Sequence, residues 1–239
     1  RARTSGRGTA AGRPGSGSSP DGAPVSISTT RIHLLRHGEV LNPDGVLYGR
    51  LPGFHLSERG VAMANRIAET VADRDIVRIV SSPLERAQET AAPIAAKLGL
   101  DVRTDDRLTE ATNVFQGQRL GGGGSLLRVS NLKYLRNPFR PSWGEPYVEL
   151  VARMRLALAD ARAAAGGHEA LLVSHQLPIW IVRSAVEGRR LWHDPRKRVC
   201  SLASLTTFTY EDDAIISVGY SEPAADLLPA SGRQVRAGA

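Results

Sequence analysis

Arg31-Ile-His-Leu-Leu-Arg-His-Gly-Glu39 decides the fold class of this chain. A short apolar run stops abruptly at Arg36-His37-Gly38-Glu39, so a strand delivers an arginine and a histidine to its carboxyl end. That edge is where open α/β sheets place their chemistry. The guanidinium is a fixed fork of donors suited to a phosphate. The imidazole is a nucleophile or base that titrates near neutrality. Gly38 permits a tight turn and close backbone approach to a ligand.

Outward from this stretch the pattern alternates strand and helix, which predicts an α/β fold: a three-layer α/β/α sandwich on a mostly parallel central sheet, with an inserted lid or cap. Arg31–Leu35 is the first expected strand, followed by a Pro- and Gly-containing loop over Asn42–Phe54. Ser57 is placed to cap a helix whose apolar residues Val61, Ala64, Ile67, Ala68 and Val71 recur at helical spacing. Ile76–Val80 reads as a strand ending in Ser81-Ser82-Pro83. Pro83 suits the first turn of a helix carrying Leu84, Ala87, Ala91, Ile94 and Leu98 on one face, stopped by Gly99. Val102 begins a short strand. Glu145–Ala165 reads as a long helix closed by Gly166-Gly167, Ala170–Val173 as a strand ending in Ser174-His175, and Pro178–Val186 as the next helix. Leu202–Tyr210 and Ile215–Tyr220 form an expected hairpin around Asp212-Asp213.

Three segments depart from this rhythm. Residues 1–29 and the stretch from Glu222 to Ala239 have the composition of disordered tails, leaving a domain over residues 30–221. Between Thr112 and Gly144 the periodicity fails, around Gly121–Gly124, Asn137-Pro138 and Arg140-Pro141. This reads as an insertion over the site with one short helix near Leu126–Leu135, its Phe115, Tyr134, Phe139 and Trp143 shaping a lid or forming only its local core.

Composition narrows the function. The 239 residues carry a net charge of +7, with 41% hydrophobic and 23% charged residues. Four arginines against Asp21 put +3 on residues 1–30, leaving +4 on the rest. That excess favours an anionic ligand but falls short of a nucleic-acid footprint. One cysteine, Cys200, forbids an internal disulfide and reads as buried filler. No window of 18 apolar residues and no apolar leader core are present, so no membrane association and a cytoplasmic location are expected.

In a parallel sheet the three strand ends share an edge. Arg36 and His37, Arg86 on the first turn of its helix, and His175 then converge on one volume. Such a cluster of cations is costly unless an anion occupies it, and a phosphoryl dianion is the natural occupant. His33 and His37 lie four apart on a strand and its turn, not on a helix, so no metal pair and no cofactor are expected. His55 belongs to a helix-entry block and reads as structural. The basic run around Trp192, residues 188–198, reads first as a solvated loop anchored by that one aromatic, with an extension of the anion site or a nucleic-acid contact as the alternatives.

In these motifs the chain resembles the histidine phosphatase superfamily, in its phosphoglycerate mutase-like branch. Arg36-His37-Gly38-Glu39, Ser82-Pro-Leu-Glu-Arg-Ala-Gln-Glu-Thr90 and Ser174-His175 match the signature blocks in order, and the resemblance spans about residues 31–220. The resemblance implies that His37 is the nucleophile, forming a phosphohistidine, with Arg36, Arg86 and His175 holding the phosphoryl oxygens. It implies a phosphate contact from Asn42 and a pocket lined by Tyr48, Gly49 and Arg50, with Gln176 beside it. The proton donor is expected between the second and third blocks, where Glu110 fits and Asp105, Asp106 and Glu145 compete.

Departures from the mutase pattern favour hydrolysis. Ala111-Thr-Asn-Val-Phe-Gln-Gly117 lacks the family's Tyr- and basic-rich block, Gln176-Leu177 replaces a Gly-Gly, and Val40 replaces a small hydroxyl residue. The expected activity is that of a metal-independent phosphomonoesterase acting on a phosphorylated small molecule. A mutase-type phosphotransferase and a non-catalytic phospho-ligand or nucleic-acid binding module are the alternatives. Oligomeric state is not legible.

Overall fold

The computed structural model describes residues 28–119 and 144–229. Strand β1 (Thr29–Arg36) sits near the middle of a six-stranded sheet in the order β3-β2-β4-β1-β5-β6. Its partners are β2 (Ile76–Ser81), β3 (Val102–Thr104) and β4 (Glu169–Ser174), then β5 (Leu205–Glu211) and β6 (Ala214–Ser221). β1, β2, β3 and β4 run parallel, while β5 lies antiparallel to β1 and β6 antiparallel to β5. Helices α1 (Glu58–Thr70) and α2 (Glu85–Leu98) cover one face; α3 (Tyr147–Ala165) and α4 (Gln176–Val186) cover the other.

The period of two along each central strand divides the core. Ala170 and Leu172 join Ile32 and Leu34 against Met154, Leu158 and Ile181. Leu171 and Val173 join Leu35 against Met63, Ile67 and Ile94. Both layers come from one short apolar run per strand, so the carboxyl ends of β1, β2 and β4 are held in fixed register: Arg36 stands beside Ser174, and Ser81 beside Val173.

Several boundaries differ from expectation for identifiable reasons. Helix α3 begins at Tyr147 rather than Glu145, because Pro146 is extended and disfavours helix in the residue before it. Helix α4 begins two residues early at Gln176, with Pro178 in the first turn, where a missing N–H costs little. Pro83 lies outside α2, whose cap is Leu84. Val61, assigned to the inner face of α1, points outward and is about half exposed. The hairpin starts later, at Leu205, since Ala203 turns with φ of 52°.

The composition-based tail from Glu222 is corrected in part. Glu222 accepts hydrogen bonds from Ser201 and Tyr220, Ala224 is buried, and Ala225–Leu227 makes a 3-10 turn packed on the α1 side. Low-complexity sequence begins further on than the residue count suggested. Residues 1–27, 120–143 and 230–239, including the helix expected near Leu126–Leu135, lie outside the described residues.

The ends of the insertion are pinned. Asn113 bridges Gly144, and the Glu145 amide donates to the Thr112 carbonyl at 3.3 Å. Arg119 bridges Val46, tying the near side to the loop after β1.

Candidate active site

His37 leaves β1 with its amide bonded to the Ser174 carbonyl, so the first and third signature blocks are hydrogen-bonded neighbours. Its Nδ1 lies 2.8 Å from the Gly38 carbonyl, which fixes the proton on Nδ1 and leaves the Nε2 lone pair free. The ring of His175 stands 5.1 Å away, centroid to centroid, tilted by 59°. His175 Nε2 is 2.8 Å from Ser82 Oγ. That hydroxyl oxygen also accepts from the Leu84 amide at 3.4 Å, so Ser82 joins the ring of His175 to the start of α2.

The two arginines are held by backbone carbonyls. Arg36 Nη1 donates to Cys200 O at 2.6 Å, and Arg86 Nη2 donates to Gly49 O at 2.6 Å. Arg86, fully buried, also lies over the Tyr48 ring, 4.7 Å from its centroid. Four buried nitrogens around the imidazoles find no hydrogen-bond partner among the described residues: Arg36 Nε, Arg86 Nε and Nη1, and His175 Nδ1. Buried polar groups are nearly always paired, and the three arginine nitrogens among these are donors, so the volume is suited to an anion.

Glu110 closes the volume. Its side chain is 2% exposed; Oε1 accepts from the Ala111 amide at 2.8 Å, while Oε2 is buried without a partner. Burial raises its pKa, against the opposing pull of the Ala111 N–H, Arg86, Arg198 and Arg36. Burial, then Arg86 and Arg36, hold His37 well below its ordinary value, and burial and Arg86 do the same to His175. The result is two neutral imidazoles beside a carboxyl biased toward its protonated form, the pairing needed for nucleophilic attack with acid assistance.

The competing acids are occupied. Glu145 accepts from Arg153 at 2.6 and 2.9 Å and from Arg50 at 3.2 Å. Asp105 is gripped by Arg107 at 2.7 Å. Asp106 begins the 3-10 turn Asp106–Leu108 that leads to Glu110. That turn is anchored from β4, because Ser174 Oγ donates to the Leu108 carbonyl at 2.7 Å.

The second signature block divides its work by helical spacing. Arg86 and Thr90 face inward; Thr90 Oγ1 accepts from the Gly38 amide at 3.1 Å and ties α2 to the end of β1. Glu85 and Glu89, on the neighbouring stripe, accept from the Gly53 and Leu56 amides at 3.0 and 2.7 Å. His55 pairs with Glu89 at the surface and has the structural role expected of it. Glu39 takes the Ser57 hydroxyl at 2.7 Å and thereby sets the cap of α1.

A Cβ on Gly38 would stand 2.7 Å from the Gly60 carbonyl oxygen, and one on Gly60 would stand 2.0 Å from Glu39 O. Gly38 therefore serves the close packing of α1 on the strand end. Asn42 donates to the Val46 carbonyl at 2.8 Å and accepts from the Val46 amide at 3.0 Å, and so braces its own loop.

The remaining candidates flank the site. Tyr48 is its buried floor, the Gly49 carbonyl orients Arg86, and Arg50 donates through Nε to the Glu110 carbonyl. Gln176 reaches the Cys200 carbonyl at 3.4 Å. Cys200 is buried as expected, yet its carbonyl also positions Arg36.

The model of the histidine phosphatase superfamily (branch 1) matches residues 32–222. This chain belongs to that family. An uncharacterized Mycobacterium tuberculosis protein is 56% identical over 197 residues, covering 82% of this chain and 98% of that one. A probable phosphoglycerate mutase of Yersinia pestis is 30% identical over 201 residues, covering 80% and 89% respectively. The solved structure of a mycobacterial glucosyl-3-phosphoglycerate phosphatase superposes with a TM-score of 0.66 at 26% identity, over 81% of this chain and 97% of that one. Histidine phosphatases and mutases share this arrangement, and the family supports one of these two activities here.

In the basic run Trp192 is 55% exposed, and the ring of His193 packs against Tyr147 and Trp180 at 5.9 and 5.8 Å. Arg189 and Arg196 pair with Glu187 and Asp194 at the surface, whereas Arg198 turns inward toward Glu110. Alternation of basic residues in a loop carries no sign of which one folds back. Among the described residues no cluster of His, Cys, Asp and Glu suits a metal, and no helix is long and apolar enough to cross a membrane.

Proposed function

We propose that the protein is a metal-independent phosphomonoesterase acting in the cytoplasm on a phosphorylated small molecule. The observation that carries this reading is that Glu110 Oε2 is buried without a partner among the described residues, as are Arg36, Arg86 and His175 nitrogens, with Glu110 near enough to Arg86 and Arg36 to feel their charge. His37 Nε2 attacks phosphorus in line, and the P–O bond to the alcohol breaks as Glu110 passes its proton to the departing oxygen. Arg36, Arg86 and His175 hold the equatorial oxygens through the transition state. Glu110, now a carboxylate, takes a proton from water as that water attacks the phosphohistidine; inorganic phosphate leaves and His37 is regenerated.

The mutase alternative rests on the 30% identity with a probable phosphoglycerate mutase, and differs only in which oxygen accepts the phosphoryl group. Rapid quench with a 32P-labelled monoester is expected to trap acid-labile, alkali-stable label on the wild type and none on His37→Ala. Phosphate release should match substrate loss; label passing to a second hydroxyl without release would favour the mutase. Wild-type turnover by His37→Ala would overturn the phosphohistidine mechanism altogether.

A further inference from the structure

Beyond Glu110 the site opens into a cavity of about 500 Å³, lined by Tyr147, Leu177, Trp192, His193 and Arg198 among others. Since Glu110 marks the departing oxygen, the organic part of the substrate extends into this space. Arg198 is the cation at that end. Its fixed geometry comes from His193: Nδ1 of that ring donates to the Leu191 carbonyl at 2.6 Å, leaving Nε2 to accept from Arg198 Nε at 2.8 Å. The Tyr147 hydroxyl hydrogen-bonds the same guanidinium.

Arg198 differs from its neighbours in the run. Arg189 and Arg196 have carboxylate partners, while no carboxylate among the described residues stands within ion-pair distance of Arg198. It also differs from the phosphate-holding arginines. His37 feels Arg86 and Arg36, whereas Glu110 feels Arg86, Arg198 and Arg36, so Arg198 lies on the leaving-group side. A half-buried, preorganised guanidinium that has no carboxylate within ion-pair distance among the described residues is suited to accept an anion.

We propose that Arg198 is a specificity-determining residue that binds a second anionic group on the alcohol part of the substrate. The substrate is then a phosphomonoester carrying a carboxylate or a further phosphate close to the ester oxygen. This rests on the phosphomonoesterase reading above.

The test compares substrates that differ by one anionic group: phosphoserine against phosphoethanolamine, and fructose 1,6-bisphosphate against fructose 6-phosphate. Wild type is expected to prefer the more anionic member of at least one pair in kcat/KM, and the preferred pair identifies carboxylate or phosphate as the partner. Arg198→Met should reduce that preference about 10- to 100-fold, the range for a charge-assisted hydrogen bond, and Arg198→Lys should recover part of it. Equal losses on both members, or no wild-type preference in either pair, would overturn the inference and leave the proposed chemistry standing. Calorimetric binding of the same pairs to His37→Ala reads the preference without turnover. Preference in binding without phosphate release from wild type would instead overturn the hydrolase reading.

Discussion

Glu110→Gln tests the acid role with little risk to the fold. Glutamine is nearly isosteric with the protonated carboxyl, and its Oε1 can keep the 2.8 Å bond from the Ala111 amide. What is lost is the proton on the atom facing the departing oxygen. General acid assistance contributes about 10²- to 10⁴-fold, or about 3–5 kcal/mol of barrier. The loss should appear in full on an alkyl phosphate, whose alkoxide leaves poorly, and be much smaller on p-nitrophenyl phosphate, whose phenolate needs little help. The pH profile adds a second signature. Burial raises the Glu110 pKa, so the acid form persists above the ordinary value of 4.5 and is lost as pH rises through the raised one. Wild-type rate should fall on that limb, and the limb should vanish in the variant. Steady-state kinetics with both substrates across pH measures both effects. Equal losses on the two substrates, or an alkaline limb that survives in the variant, would refute Glu110 as the acid.

Two further outcomes follow from packing and burial. His37 and His175 are folded with pKa values well below 6.5, so their contribution to stability is complete above pH 6.5 and is lost as pH falls toward the folded values. Each adds a slope of about 1.4 kcal/mol per pH unit, while Glu110, raised, acts in the opposite sense near its own range. Urea unfolding without phosphate should therefore show a shallower acid slope for His175→Asn than for wild type; an unchanged slope would contradict neutral burial. Gly60→Ala places a Cβ 2.0 Å from the Glu39 carbonyl oxygen and should cost about 1–3 kcal/mol, lowering Tm by about 3–10 °C. A shift under 2 °C in calorimetry would show that α1 does not press on the strand end as described.

The layers and the site's central residues were legible because each rests on a local signal. An apolar strand run stops at Arg36-His37 and another at Ser174-His175, and parallel pairing then forces the two ends together. Arg86 was legible from its place on the first turn of α2. What escaped depends on partners that residue type does not announce. The need for glycine at position 38 comes from Gly60, 22 residues on, and neither motif announces the other. The Asn42 amide is taken up by its own loop through backbone contacts that leave no trace in residue types. Arg198 was hidden among surface cations because its inward turn is set by His193, Tyr147 and Trp180, which come from separate elements.

The bridge between Asn113 and Gly144 has a meaning for how this protein can change over generations. A Cβ at Gly144 would lie 2.5 Å from the Thr112 carbonyl oxygen, so the two strands of the junction are pressed backbone to backbone. Residues 116–119 are also tied to the loop after β1, through Leu47 and Arg50, so the frame is braced up to that point. Beyond it, doubling the number of residues before Gly144 should add only about 0.6 kcal/mol of closure cost. Glu110 is anchored on the frame's side of the junction, by the Ala111 amide directly and by Ser174 through the Leu108 carbonyl. Descendants of this chain can therefore vary in length between positions 119 and 144 while keeping the junction and the anchored Glu110.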